Sequence, residues 1–315
     1  MMINTATGPV AAAELGPTFM HEHVCCADWS MRMSFGARFF SFDQVADAAV
    51  ALYTKMRDEC GVTTVVDGTP INLGRDPRLI RAVSERTGVR FVVSSGFYYQ
   101  MEPGLMFRPE DEIVELLAEE CEHGIEGTGI RPRIMKTAVD VPGLTPYLRK
   151  ILSAVGRVAA RAGLPLFCHH NPALGDGGDI LDIFEGVGVA PERVILGHSG
   201  DSDDLDYLRR MLDRGCYLGM DRFGYCDITL SMERRVAAIA ALCAEGWAHR
   251  MFLSHDLAAY LAMGGGWDPA DATGQSPDYT LIHTQVRPAL AAAGVSQAVF
   301  DQMMVDNPAR FFTGD

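Results

Sequence analysis

The chain has 315 residues, 48% of them hydrophobic and 22% charged, which is ample to bury a core without staples and unlike a disordered or collagen-like chain. Its longest apolar run, Val236 to Ala244, has nine residues, against the roughly 18 that a membrane-spanning helix needs. Twenty-seven basic and 41 acidic residues leave a formal charge of −14, which repels a phosphate backbone and excludes a general nucleic-acid binder.

Met1 to Leu15 lacks the basic segment and apolar block of a signal peptide. Eight short β-branched runs then predict strands at Pro17–Val24, Val62–Asp67, Val89–Ser95, Pro132–Val139, Pro165–His169, Arg193–His198, Cys216–Asp221 and Arg250–His255. Helical stripes lie between them. Val45, Ala49, Leu52 and Met56 form one, with Ser41 and Gln44 spaced as a capping box. Ile113, Leu116, Leu117 and Cys121 form another, opened by Pro109, and Leu205, Leu208 and Leu212 a third. Gly88, Gly163 and Gly215 sit where helices should stop. Eight strand–helix units predict an α/β chain with one domain over residues 1–315, a single (β/α)8 TIM barrel. A doubly wound sheet is the competitor, but its G-x-G-x-x-G fingerprint is absent from the first strand–helix turn.

The eight cysteines, at 25, 26, 60, 121, 168, 216, 226 and 243, form no C-x-x-C pair. Free thiols and a cytoplasmic location are expected.

A barrel of this kind carries its chemistry at the C-terminal ends of its strands. Six of the nine histidines lie at such predicted ends: His21, His23, His169, His170, His198 and His255. His21 and His23 are two apart on a strand, so both rings face one place. Taken alone the pair is as readily two unrelated core histidines, but the concentration at strand ends favours a metal site. Of His169 and His170 only one can face the axis. His198 alone would read as a satisfied polar residue, and Asp256 as a helix cap. Glu22, between two inward histidines, should face outward to an ion pair or a helix. His255 should turn away from Asp256. His123, His249 and His283 are expected in solvent. Lys136 stands in an apolar strand, where an ammonium is costly to bury. It is either paired with an acid or a neutral amine that has taken up carbon dioxide.

The run Gly16-Pro17-Thr18-Phe19-Met20-His21-Glu22-His23 resembles the opening signature of the phosphotriesterase family of the amidohydrolase superfamily. The resemblance continues through Lys136, Pro165–His169, Gly197-His198-Ser199-Gly200-Asp201-Ser202-Asp203-Asp204, Met220-Asp221-Arg222-Phe223-Gly224, Leu253-Ser254-His255-Asp256, Val305-Asp306-Asn307-Pro308 and Phe311-Phe312-Thr313-Gly314. It covers essentially the whole chain. The Asp-Arg-Phe-Gly run, and Tyr98 after Gly96, are most similar to the phosphotriesterase-like lactonases.

This resemblance implies a binuclear metal site. His21, His23 and Asp256 would hold the buried ion, His169 and His198 the exposed one, and carboxylated Lys136 with a hydroxide would bridge them. Asp201 would support the histidine cluster, and Arg222 and Tyr98 would line the substrate site. One departure is Leu257-Ala258-Ala259-Tyr260 after Asp256, where the family's lactonases tend to carry an aromatic. The loop beyond, with Gly264-Gly265-Gly266-Trp267, could form a lid that places Trp267 on the substrate.

Imidazole, carboxylate and carbamate donors suit two zinc ions, with manganese, cobalt or iron as alternatives, and do not suit calcium. Asp256 would act as proton acceptor, with Arg222 and Tyr98 assisting catalysis. Three functions compete: a lactonase, a phosphotriesterase or other carboxylic-ester hydrolase on the same site, and a binding protein whose metal is structural or lost. A Cys168–His170 nucleophile pair is a weaker fourth. The expected partners are a small lactone or ester, neither nucleic acid nor membrane, with a homodimer allowed.

Overall fold

The computed structural model describes residues 1–225, 229–262 and 277–314. All eight expected strands form: β1 Thr18–Glu22, β2 Thr64–Asp67, β3 Arg90–Gly96, β4 Ile134–Ala138, β5 Leu166–His169, β6 Val194–Gly197, β7 Tyr217–Met220 and β8 Met251–Leu253. They lie in one parallel sheet in sequence order. A doubly wound sheet would reverse its strand order partway, and this one does not. The edges β1 and β8 meet, because His21 and His23 exchange backbone hydrogen bonds with Asp256, Leu257 and Ala259. The fold is a (β/α)8 barrel.

Period-two alternation divides the strand residues between two cores. Outward side chains such as Val65, Val93, Met135, Leu166, Leu196 and Leu218 pack with the helices. Inward ones, among them Val66, Val92, Ile134, Phe167, Ile195, Tyr217 and Phe252, fill the bore. A register irregularity between Phe19 and Glu22 departs from strict alternation. Met20 joins the bore, and His21 beside it reaches Lys136. Gly68 makes room for that contact, since a β-carbon there would lie 2.6 Å from the His21 ring.

The N-terminal residues form a hairpin that the sequence reading did not anticipate, Met2–Thr5 antiparallel to Gly8–Ala11. Its Ile3 packs with Leu15, Phe311 and Phe312 in the bore cluster. His169 and Asp256 lie at the other end of the strands.

The helices occupy the expected intervals with local differences. Helix Phe42–Cys60 starts after Ser41, but the Ser41 side chain makes no capping bond. Pro109 precedes helix Glu110–His123, whose Leu116 is half exposed while Val114 is buried in its place. Gly88 and Gly163 close helices Pro77–Thr87 and Pro146–Ala162 in the left-handed conformation, where glycine carries no Cβ penalty. Among the described residues no helix is long and apolar enough to cross a membrane.

Candidate metal centre

Four imidazoles, one amine and one carboxylate converge above the bore. His21 rises from β1, His23 from just past it, Lys136 from β4, His169 from β5, His198 from just past β6 and Asp256 from the turn after β8. Lys136 Nζ lies 2.7 Å from His21 Nε2. Asp256 Oδ1 lies 3.2 Å from His21 Nε2 and 3.1 Å from His23 Nε2. His198 Nε2 lies 2.7 Å from His169 Nδ1. His21, His198 and Asp256 each offer a ligand atom within 4.8 Å of the others, a spacing that can hold a metal ion.

Each imidazole is held from behind. His21 Nδ1 and His198 Nδ1 share the two oxygens of Asp221 at 2.9 and 2.8 Å. His23 Nδ1 meets Thr69 Oγ1 at 2.8 Å, and His169 Nε2 meets Asp140 Oδ2 at 3.0 Å. A partner on the outer nitrogen fixes the ring and turns the other nitrogen inward as a donor, the usual support of a metal-ligating histidine. Backbone strain concentrates here too. His198, Arg222 and Asp256 have φ of 62°, 62° and 60°, leaving Glu126 as the one other non-glycine residue with positive φ among those described.

Burial shapes the titration. It lowers His21 to about 4 and depresses His169 and His198, keeping these rings neutral and available as donors. His23 differs: burial opposes its protonation, but Cys26 and Asp256 outweigh it and raise the ring to about 10. Asp256 stays well below the usual carboxylate range because His21 and His198 overcome the cost of its burial. Burial brings Lys136 down to about 8. Among the described residues no ion pair within 4 Å joins Lys136 to a carboxylate, although Asp256 and Asp221 act on it from farther away, and the amine sits 4.0 Å over the Phe167 ring.

A cavity of about 420 Å³ opens over this cluster, lined by His23, Asp256, Tyr98, Arg222 and apolar groups including Leu73 and Leu261. Tyr98 OH stands 3.3 Å from His169 Nδ1. Arg222 Nε reaches Asp256 Oδ2 at 3.2 Å, and its Nη1 reaches Asp201 Oδ2 at 2.8 Å.

Several expectations are corrected. Asp201 contacts Arg222 and Arg235 rather than a histidine. The carboxylate behind the histidine cluster is Asp221, which the inward alternation of Tyr217, Gly219 and Asp221 could have revealed. Thr69 and Asp140 were missed because they lie in loops, where strand periodicity says nothing. Asp256 caps no helix, since residues 257–262 contain none. His283 is only partly solvated: it packs against Phe19 and Phe300, and burial lowers it to about 4. Trp267, its neighbouring glycines and Cys226 lie outside the described residues.

The other histidines sit as strand geometry predicts. His170 faces outward onto Gly197 O and Tyr207 OH, at 2.5 and 3.1 Å, and forms no pair with Cys168. Cys168 donates to His169 O, and burial pushes its thiol up to about 12, far from a nucleophile. Glu22 faces outward to His255.

Comparison with known proteins agrees with this geometry. A phosphotriesterase homology protein of Mycobacterium tuberculosis is 36% identical over 98% of this chain and 97% of its own. An aryldialkylphosphatase of Saccharolobus solfataricus is 28% identical over 96% and 97%. The solved structure of the phosphotriesterase from Mycobacterium tuberculosis superimposes with a TM-score of 0.91 at 36% identity, covering 99% of this chain and 98% of that one. The model of the phosphotriesterase family matches residues 1–312. The chain that gathers these histidines at its strand ends therefore belongs to the phosphotriesterase family of hydrolases.

Proposed function

We propose that this protein is a metal-dependent lactonase of the phosphotriesterase family. Its donor set fits two divalent cations: the neutral imidazoles of His21, His169 and His198 with their outer nitrogens held, His23, which would give up its proton to a cation, one ionised carboxylate and a buried amine with no carboxylate within ion-pair distance. In this reading His21, His23 and Asp256 would hold one ion and His169 and His198 the other, and Lys136, carboxylated by carbon dioxide, would serve as a ligand to both. Zinc suits these donors best. When bound, the ions lower the pKa of water and polarise a carbonyl or phosphoryl oxygen.

The protein's own groups do the rest. Asp256 accepts a proton from the attacking water and returns it to the leaving alkoxide. The observation that carries the lactone reading is Tyr98. Its phenol lines the cavity beside His169, and burial keeps it protonated, well above its ordinary pKa. It is thus a donor at neutral pH for the oxyanion that forms when a carbonyl is attacked. Arg222 holds Asp256 from its other oxygen and braces the cavity wall through Asp201.

Hydrolysis of an organophosphate triester, or of another carboxylic ester, on the same centre is the second reading. The aryldialkylphosphatase relative favours it. A panel of lactones and one activated triester decides between them. The expected result is a higher kcat/KM on lactones, with both activities lost to a chelator and restored by zinc, cobalt or manganese. A wild type that prefers the triester tenfold supports the second reading. Full activity after exhaustive removal of metal refutes both.

A further inference from the structure

The barrel closes at the seam between β1 and β8. Strand β8 is three residues long, and its last residue is Leu253. Beyond it the seam is closed by separate bonds. His21 N–H donates to Ser254 Oγ at 3.0 Å, and Asp256 N–H donates to His21 O at 3.2 Å. His23 N–H donates to Leu257 O at 2.9 Å, and Ala259 N–H to His23 O at 3.0 Å. Asp256 lies inside this closure with φ of 60°, a conformation that persists in a non-glycine residue only where its surroundings over-determine it.

A carboxylate on the outer face of β1 grips the peptides on either side of Asp256. Glu22 is fully buried and points away from the imidazoles that flank it in sequence. Its Oε1 accepts the peptide N–H of His255 at 2.7 Å and the His255 Nδ1–H at 2.8 Å. Its Oε2 accepts the peptide N–H of Leu257 at 3.0 Å. One carboxylate therefore holds the backbone N–H on either side of Asp256. His255 Nε2 accepts from the Ile282 N–H at 3.3 Å while Nδ1 donates to Glu22, so the ring is tied at both ends.

We infer that Glu22 is a positioning residue for the metal centre: its carboxylate, behind β1, clamps the peptides flanking Asp256 and holds that side chain in its ligating conformation. The inference rests on the metal-centre reading above. The bland alternative is a buried polar cluster that serves stability alone. The two differ in what they do to the cation, because a partner that orients a ligand changes metal affinity and a merely structural one does not.

The test is Glu22→Gln in the full chain, which keeps volume and one acceptor but replaces the other oxygen with an amide NH2 that cannot accept a peptide N–H. The readouts are zinc affinity by chelator competition, the visible spectrum of the cobalt-substituted protein, and kcat and KM on a lactone. The clamp predicts zinc binding weakened by about 10- to 100-fold, an altered cobalt spectrum, and a kcat loss of similar size with KM nearly unchanged. Wild-type zinc affinity and cobalt spectrum in Glu22→Gln overturn it, whatever happens to Tm.

Amide exchange in the wild type keeps the question open to test if that variant does not fold. The His255 and Leu257 amides should exchange as slowly as those of the core strands, with and without zinc. Exchange at loop rates after chelation shows that the cation and not Glu22 sets the bend, and overturns the clamp. The exchange experiment needs no bound cation, so its failure is distinct from failure of the metal-centre reading, which a wild type unable to bind zinc would reveal.

Discussion

Replacing Lys136 with methionine should make the metal-free protein more stable while destroying its function. Lys136 is 1% exposed, and burial brings its amine from the ordinary 10.5 to about 8. At about 1.4 kcal/mol per pKa unit, that fall represents about 3 kcal/mol spent holding the ammonium in the fold. Methionine fills a similar volume without the charge, and gives up the 2.7 Å contact of Lys136 Nζ with His21 Nε2, which makes the figure an upper bound. With an unfolding entropy of about 2.1 cal/mol/K per residue over this length, the gain raises Tm by about 5 °C.

The pH dependence has a definite sign. Below about 8 both folded and unfolded states bind the lysine proton, so the cost is fully present. Between about 8 and 10.5 the unfolded state binds more protons than the folded one, so wild-type stability rises with pH. The advantage of Lys136→Met should therefore shrink across that window and vanish near its upper end. Thermal melts of chelator-treated wild type and variant at several pH values measure this. A variant less stable than wild type at pH 7, or a gain that stays constant to the top of the window, refutes the reasoning.

Other outcomes follow from the same geometry. Asp221→Asn removes an acceptor that holds two rings, so zinc affinity should fall by about 10- to 100-fold or more in chelator competition, further than for Asp140→Asn, which loosens His169 alone. If Asp256 is the proton acceptor proposed above, Asp256→Asn should cut kcat by about 100-fold or more and displace the acidic limb of the rate profile; an unmoved limb with a near-normal rate contradicts that role. Tyr98→Phe should cost lactone hydrolysis more than triester hydrolysis, and equal losses on both would remove the phenol from oxyanion stabilisation.

The parts of this protein legible in its sequence are those governed by periodicity. All eight strands appear because β-branched runs alternate with helical stripes, and the spacing of His21 and His23 puts both rings on one face. The same rule turns His170 and Glu22 outward. What escaped was set by tertiary contacts. Thr69 and Asp140 reach the centre from loops, and the N-terminal hairpin has only four residues in each strand. The pairing of Asp201 with Arg222 and Arg235 depends on how the ends of β6 and β7 lie together. The closure of the seam by Ser254, Asp256 and Leu257 depends on where β8 stops, which local sequence preference does not fix.

Lys136, buried with no carboxylate within ion-pair distance, is proposed to complete a two-ion centre as a carbamate. Native mass spectrometry of the purified chain, calibrated by metal analysis, addresses it directly. The account predicts a chain carrying two divalent cations and the mass of one added carbon dioxide, with Lys136→Met losing the carbon dioxide and at least one cation together. An active wild type at the bare-chain mass, or a Lys136→Met variant that keeps both cations and the wild-type rate, would contradict it.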